Sequence, residues 1–286
     1  MNITCLMENT AISDNVICEH GFSLFVETKN HKMLIDAGQS AAFADNAKNL
    51  GVDLSKVDMA MLSHGHYDHS GGIMTFADVN GTAPIYMQSN AGGDFYHKSD
   101  AIEKYIGIDK NILELSQVKL LDQNIRTDDE ISVFSGVKGR RHFPLGNLIL
   151  MMKTEDEEGN VSFVQDDFSH EQYVVIEENG KKVLISGCAH NGILNILDEF
   201  RELYGCEPDI VISGFHLMRK NGYSDEDIDN IKAIATELGE MNTTFYTGHC
   251  TGTEPFDIMK DIMKDKLKYI HSGSKLGDVH EVSTYT

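Results

Sequence analysis

The sequence predicts an α/β protein in which sheets are sandwiched between helices. Hairpin-like strand pairs fill the first third of the chain, and strands alternate with helices through the last third. A wound, all-parallel sheet would show that alternation from the start, whereas stacked sheets covered by helices accommodate both patterns. The apolar strand-like runs also repeatedly adjoin short polar loops that carry histidine.

FSLFVET (22–28) and HKMLIDAG (31–38) are β-rich runs joined at Lys29-Asn30, which reads as a hairpin. SAAFADNAKNLG (40–51) carries helical spacing and stops at a glycine. DMAMLSHG (58–65) reads as a short buried strand, and Gly71-Gly72 suits the turn into another helix. GDFYHKSDAIEKYIGI (93–108) reads as helix or loop, the stretch to residue 135 as short strands and turns, and TEDEEGN (154–160) as a solvated loop. HEQYVVIEENGKKVLISG (170–187) gives two strands about a turn at Asn179-Gly180. Helices then follow over 192–205, 225–241 and 254–266, interleaved with strands over 209–215, 243–248 and 267–273. No linker, low-complexity tract or solenoid-length repeat interrupts the pattern, so residues 1–286 are expected to form one domain.

Of the 286 residues, 41% are hydrophobic and 24% charged, enough to bury a core in an ordinary water-soluble protein. No apolar run approaches the roughly 20 residues of a membrane span. MNITCLMENT lacks the basic flank and apolar block of a signal peptide. Five cysteines, an odd number without disulfide-like rhythm, fit a reducing compartment, so a cytoplasmic location is expected. The net charge of −21 disfavours a nucleic-acid partner, and KGRR (138–141) is too short to reverse that. A small-molecule substrate is expected instead. If it is anionic, bound cations must offset the field of the protein locally. Self-association stays open.

The richest stretch is LSHGHYDHSGG (62–72), with His64, His66, Asp68 and His69 inside six positions. Three imidazoles and a carboxylate so close repel and titrate badly without a cation between them, and the ligand types suit zinc, manganese or iron. His64 and His66, two apart in an extended segment, point the same way and can grip one ion. Asp68 and His69, after a turn, can grip a second. Each ion needs further ligands from downstream, and His190 and His249 follow glycine-containing strand ends. In layered α/β folds ligands gather at the carboxyl ends of strands, where Cys188 and His216 also fall. His31, His97, His271 and His280 read as hydrogen-bonded loop residues.

LSHGHYDHSGG resembles the HxHxDH signature of the metallo-β-lactamase fold superfamily. With EHGFSLFVET, LIDAGQS, SGCAHNGILNIL, SGFHL and TGHCTG, the chain resembles the branch of 7,8-dihydropterin-6-methyl-4-(β-D-ribofuranosyl)-aminobenzene-5′-phosphate synthase. The resemblance implies an αββα sandwich with two divalent metal ions, zinc first and manganese or iron as alternatives. It implies His64 and His66 on the first ion, and Asp68, His69 and His249 on the second. His170 and His190 compete to complete the first ion; the branch's GCxH pattern favours His190. Cys188 reads as a ligand, a thiol facing substrate, or a small buried residue. His216 is expected to contact substrate, and His20 lies near the site or packs in a strand. The implied activity is that of a metal-dependent hydrolase or transferase on a small, phosphorylated, pterin-like substrate. It could be a phosphoesterase or a dihydropterin phosphate synthase-like transferase. A metal-bridged hydroxide would be the nucleophile, with Asp68 orienting it or shuttling a proton. The rivals are a redox di-iron protein, disfavoured because His66 stands where such proteins carry glutamate, and a non-catalytic metal-binding protein.

Overall fold

The computed structural model describes residues 1–99 and 101–277; His280 lies outside them. The amino-terminal half runs β1 (Asn2–Met7), β2 (Ser23–Glu27), β3 (Lys32–Ile35), α1 (Ala42–Asn49), β4 (Met59–Met61), α2 (Tyr67–Ser70), α3 (Ile73–Val79) and β5 (Ile85–Gln88). Six strands follow: β6 (Phe95–Ser99), β7 (Ile102–Tyr105), β8 (Val118–Leu121), β9 (Ile125–Arg126), β10 (Ile131–Ser135) and β11 (Leu150–Glu155). The remainder is β12 (Val161–Gln165), β13 (Gln172–Glu178), β14 (Lys181–Ile185), α4 (Ile193–Tyr204), β15 (Ile210–Ile212), α5 (Asp225–Glu240), β16 (Thr244–Thr247), α6 (Thr253–Met263), β17 (Leu267–Tyr269) and β18 (Lys275–Leu276).

Two seven-stranded sheets form the frame, in the orders β18-β1-β2-β3-β4-β5-β8 and β17-β16-β15-β14-β13-β10-β9. In each, an antiparallel part passes into a parallel part, from β3 in the first sheet and from β14 in the second. Parallel neighbours need a crossover, and α1, α4, α5 and α6 supply it. Three apolar layers result. Val26, Ile35, Met61, Val174, Val183 and Ile212 meet between the sheets. Phe43, Phe76, Leu34 and Leu62 pack α1 and α3 on one outer face. Leu197, Phe200, Leu238 and Met259 pack α4, α5 and α6 on the other. This is the αββα sandwich that the sequence resemblance implies.

Two readings change. Phe95–Ser99 and Ile102–Tyr105 are strands where the sequence reads as helix or loop: β6 and β7 join β11 and β12 in a small antiparallel sheet. β7 is exposed along its whole length, so no period-2 burial pattern marks it, and the apolar side chains that turn inward, Phe95, Ile106 and Ile108, lie outside it. The acidic stretch 154–160 is the end of β11 and its turn into β12. β1 went unread because five successive residues are buried, giving an apolar run without alternation. Among the described residues no helix is long and apolar enough to cross a membrane.

Candidate metal centre

The parallel halves of both sheets end at one edge of the sandwich. From the first sheet, β4 delivers Ser63 and His64; from the second, β14, β15 and β16 deliver Cys188 and His190, His216, and His249. His66 is the extended residue before α2, so one helical turn carries Asp68 and His69 away from the His64–His66 pair. The glycines between them admit close neighbours. A Cβ on Gly65 would lie 2.3 Å from the Ala91 carbonyl oxygen, and one on Gly71 2.1 Å from that of Gln39. Of the eight non-glycine residues with positive φ among the described residues, five lie here: Asp36, Phe168, Ala189, His216 and His249. Each costs on the order of 1–3 kcal/mol, so the surrounding structure must hold these conformations in place.

His64, His66 and His190 form one cluster, with a ligand nitrogen of each within 4.8 Å of the others. Their Nε2 atoms are buried and have no hydrogen-bond partner. Two of the three have the other nitrogen committed. Ser63 donates to Asp36 at 2.7 Å and accepts from His64 Nδ1 at 2.9 Å. Asn147 accepts from His190 Nδ1 at 2.9 Å and returns its amide to the His190 carbonyl. These bonds place the proton on Nδ1 and leave an Nε2 lone pair facing the cluster. Burial, followed by neighbouring imidazoles, pushes His64 and His190 well below the ordinary histidine pKa. Burial and His170 bring His66 to about 3. All three are neutral, the form that coordinates a metal.

A second cluster gathers Asp68, His69 and His249. The Nε2 atoms of His69 and His249 face each other at 3.2 Å, and Asp68 Oδ2 is 3.2 Å from His249 Nε2 and 3.9 Å from His69 Nε2. Asp36 takes the His69 Nδ1 proton at 2.6 Å and Asn9 the His249 Nδ1 proton at 2.9 Å. Burial opposes protonation of His69, but Asp36 and Asp68 outweigh it and raise the pKa. Burial similarly opposes ionisation of Asp68 and is outweighed by His69, His20 and His249, which hold its pKa well below the carboxylate range. Burial brings His249 to about 4 against the pull of Asp68. Cys188 Sγ lies 3.2 Å from His69 Nε2 and within ligand spacing of His64, His190 and His249. His20 Nε2 is 3.2 Å from Asp68 Oδ2 on the more open side. The His216 ring lies 4.2 Å from that of His190 with a buried, unpartnered Nδ1, and burial brings its pKa to about 3.

His170 is also adjacent, but both its nitrogens are engaged: Nδ1 accepts from Gly65 N–H at 3.0 Å and Nε2 donates to Asp166 at 3.1 Å. It has no free lone pair, whereas His190 has one aimed at its neighbours. His31 lies on the surface between Asp58 and Asp128, and His271 binds Thr10. His97 sits on β6 with a buried, unpartnered Nδ1. Sequence reasoning missed the supporting shell of Glu8, Asn9, Asp36, Asn147, Asp166 and Glu171. Asp36 in LIDAG was open to it, as an acidic residue closing an apolar strand.

These donors fit divalent metal ions. Three buried Nε2 atoms lack partners, and the Nε2 atoms of His69 and His249 meet at 3.2 Å, close to the roughly 3.3 Å between two nitrogens on one tetrahedral zinc with Zn–N of 2.0–2.1 Å. The buried carboxylates Glu8, Asp36, Asp68, Asp166 and Glu171 make no ion pair with lysine or arginine among the described residues; the pairs of Asp36, Asp68 and Asp166 run to histidines.

The family model described as "Metallo-beta-lactamase superfamily" matches residues 16–241. A solved structure described as a metal-dependent hydrolase of the beta-lactamase superfamily superposes with a TM-score of 0.79 at 29% identity, covering 99% of this chain and 100% of that one. An uncharacterized protein of Methanocaldococcus jannaschii is 26% identical over 96% of this chain and 99% of its own length. The 7,8-dihydropterin-6-methyl-4-(beta-D-ribofuranosyl)-aminobenzene-5'-phosphate synthase of the same organism is 25% identical, over 89% of this chain and 88% of its own.

Proposed function

The chain belongs to the metallo-beta-lactamase superfamily, and from that premise we propose that it is a hydrolase or phosphoryl-group transferase working with two divalent ions. His64, His66 and His190 hold one ion, and Asp68, His69 and His249 hold the other. Cys188 lies between the two sets and favours zinc over harder metals. The observation that carries this reading is the set of unpartnered, buried Nε2 atoms on His64, His66 and His190.

Bound there, the ions supply Lewis-acid polarisation of a substrate oxygen and a water acidified toward neutral pH. The chain's own groups do the rest. Asp36, Ser63, Asn147 and Asn9 fix four imidazoles in one tautomer, so the donors need no reorganisation when substrate arrives. Asp68 Oδ2 receives the His20 contact at the open side, where it can orient a water or pass a proton outward. His216, neutral and with an unpartnered Nδ1 beside His190, offers substrate a hydrogen-bond partner. The likeness to the archaeal synthase supports a small phosphorylated, pterin-like molecule as the substrate class.

Zinc-loaded protein is expected to hydrolyse bis-p-nitrophenyl phosphate, and to lose at least about 100-fold in kcat/KM with His64→Ala or His249→Ala, a loss of metal and of charge stabilisation together. Elemental analysis showing no bound metal, or unchanged metal content in both variants, would sink the reading.

A further inference from the structure

The three strand ends that carry His190, His216 and His249 pass through left-handed backbone at Ala189, His216 and His249. Two of them are held by a fully buried glutamate that touches no metal-binding atom. Glu171 Oε1 accepts from the His190 backbone N–H at 2.7 Å. Its Oε2 accepts from Asn191 N–H at 2.9 Å, the Asn191 side-chain amide at 2.9 Å and the Tyr173 hydroxyl at 2.6 Å. Glu8 Oε1 accepts from the His249 backbone N–H at 2.5 Å and the Tyr269 hydroxyl at 3.1 Å, while Oε2 accepts from Thr10 N–H at 2.7 Å and the Thr10 hydroxyl. Each carboxylate thus collects four donors and grips the backbone of one histidine. Neither has a lysine, arginine or histidine ion-pair partner among the described residues, where a buried negative charge is costly unless hydrogen bonds replace its hydration.

We infer that Glu171 and Glu8 are paired positioning residues, Glu171 setting His190 for the first ion and Glu8 setting His249 for the second. The inference rests on the two-ion reading above and adds to it an assignment of one glutamate to each ion. The chemistry requires a carboxylate. In both residues each oxygen receives a backbone N–H: His190 and Asn191 at Glu171, His249 and Thr10 at Glu8. A glutamine in either orientation turns its NH2 group against one of those N–H donors, so the loop must move and carry its imidazole with it.

The test is zinc affinity against a chromophoric chelator, with anomalous scattering at the zinc edge to locate the ions, for wild type, Glu171→Gln and Glu8→Gln. Wild type should take up two equivalents. Glu171→Gln should weaken one equivalent by about 10- to 100-fold, the usual effect of losing an outer partner of a ligand, and empty the position beside His190 while that beside His249 stays filled. Glu8→Gln should give the mirror image. A core truncation far from the site, Leu238→Ala, should leave both equivalents bound, which separates positioning from general destabilisation. Two equivalents at wild-type affinity in both glutamine variants, or loss of both ions together in each, would overturn the assignment. A wild type that binds no zinc instead brings down the two-ion reading itself. If a glutamine variant does not fold, Tyr173→Phe and Tyr269→Phe remove one donor from each carboxylate. They should weaken the same respective ions several-fold, and unchanged affinity in both would overturn the proposal equally.

Discussion

At the scale of single residues, the difference between a candidate ligand and a bystander is the hydrogen bond made by the second ring nitrogen. His170 and His190 are both buried and both lie beside His64 and His66. His170 spends its lone pair on Gly65 N–H and its proton on Asp166, while His190 spends only its proton, on Asn147. His190→Ala is therefore expected to lose one metal equivalent. His170→Ala should keep both and lose about 1–3 kcal/mol of stability, the cost of a stranded buried N–H. Metal content by elemental analysis and urea unfolding of each variant check this. Loss of an ion from His170→Ala with both ions retained in His190→Ala would reverse the assignment. Cys188 shows how far residue type alone carries: its burial matches the reading as a small strand-end residue, while its sulfur 3.2 Å from His69 Nε2 matches the reading as a ligand. Spacing in the sequence could not distinguish these, because the contact spans more than a hundred residues.

Elements position the site through backbone approach as much as through side chains. α2 is a single turn wedged against the loop after β3, with Gly71 at its end, and the space for a Cβ there is already taken by the backbone of Gln39. The φ of Gly71 is −61°, so alanine is allowed by conformation and excluded by packing. Gly71→Ala should cost about 1–3 kcal/mol, the usual effect of overpacking, and displace His69, lowering metal affinity along with the urea midpoint. An unchanged midpoint would show that the loop yields freely. The legibility of the elements follows the same physics. LSHGHYDHSGG and the βα alternation after residue 180 were readable because ligand chemistry and helical periodicity leave local marks. β7 was not, since an exposed strand has no alternation of burial, and β1 was not, since a strand covered on both faces has none either. The HxHxDH signature marks the histidine-rich loop of the candidate centre, but Glu8 and Glu171 accept backbone N–H groups, and a lone glutamate beside a histidine carries no pattern that announces it.

Across the whole molecule, the two sheets are joined at one edge by a titratable contact and meet at the other in the candidate metal centre. His31, in the turn between β2 and β3, meets Asp128 at 2.6 Å and Asp58 at 3.4 Å, linking the first sheet to the β9–β10 turn of the second. Burial opposes its protonation, but the two carboxylates outweigh it and raise its pKa above the ordinary value. A raised folded-state pKa gives stability that is fully present below the unfolded pKa and disappears as pH rises through the folded one. For a largely solvated pair this is at most about 1 kcal/mol. His31→Gln should thus lower Tm by roughly 2–4 °C at pH 5.5 and hardly at all at pH 9; an equal loss at both pH values would refute a charge effect. On the two-ion reading proposed above, the opposite edge is governed by ions. Five buried carboxylates and a ring of imidazoles, most of them held neutral by burial, converge there without a lysine or arginine partner among the described residues, so the folded state without metal holds several carboxylates and unpartnered ring nitrogens at close range. Metal that binds only the folded chain stabilises it by about 4 kcal/mol per site at a thousandfold excess over Kd. At roughly 2–4 °C per kcal/mol, two sites raise Tm by about 16 °C or more. Stripping the protein with a chelator, verifying the loss by elemental analysis and repeating the melt should reveal that drop, and adding back zinc should reverse it with a break at two equivalents. A metal-free protein that melts where the loaded one does would mean that the carboxylates are neutralised within the chain, and that this edge of the sandwich closes without ions.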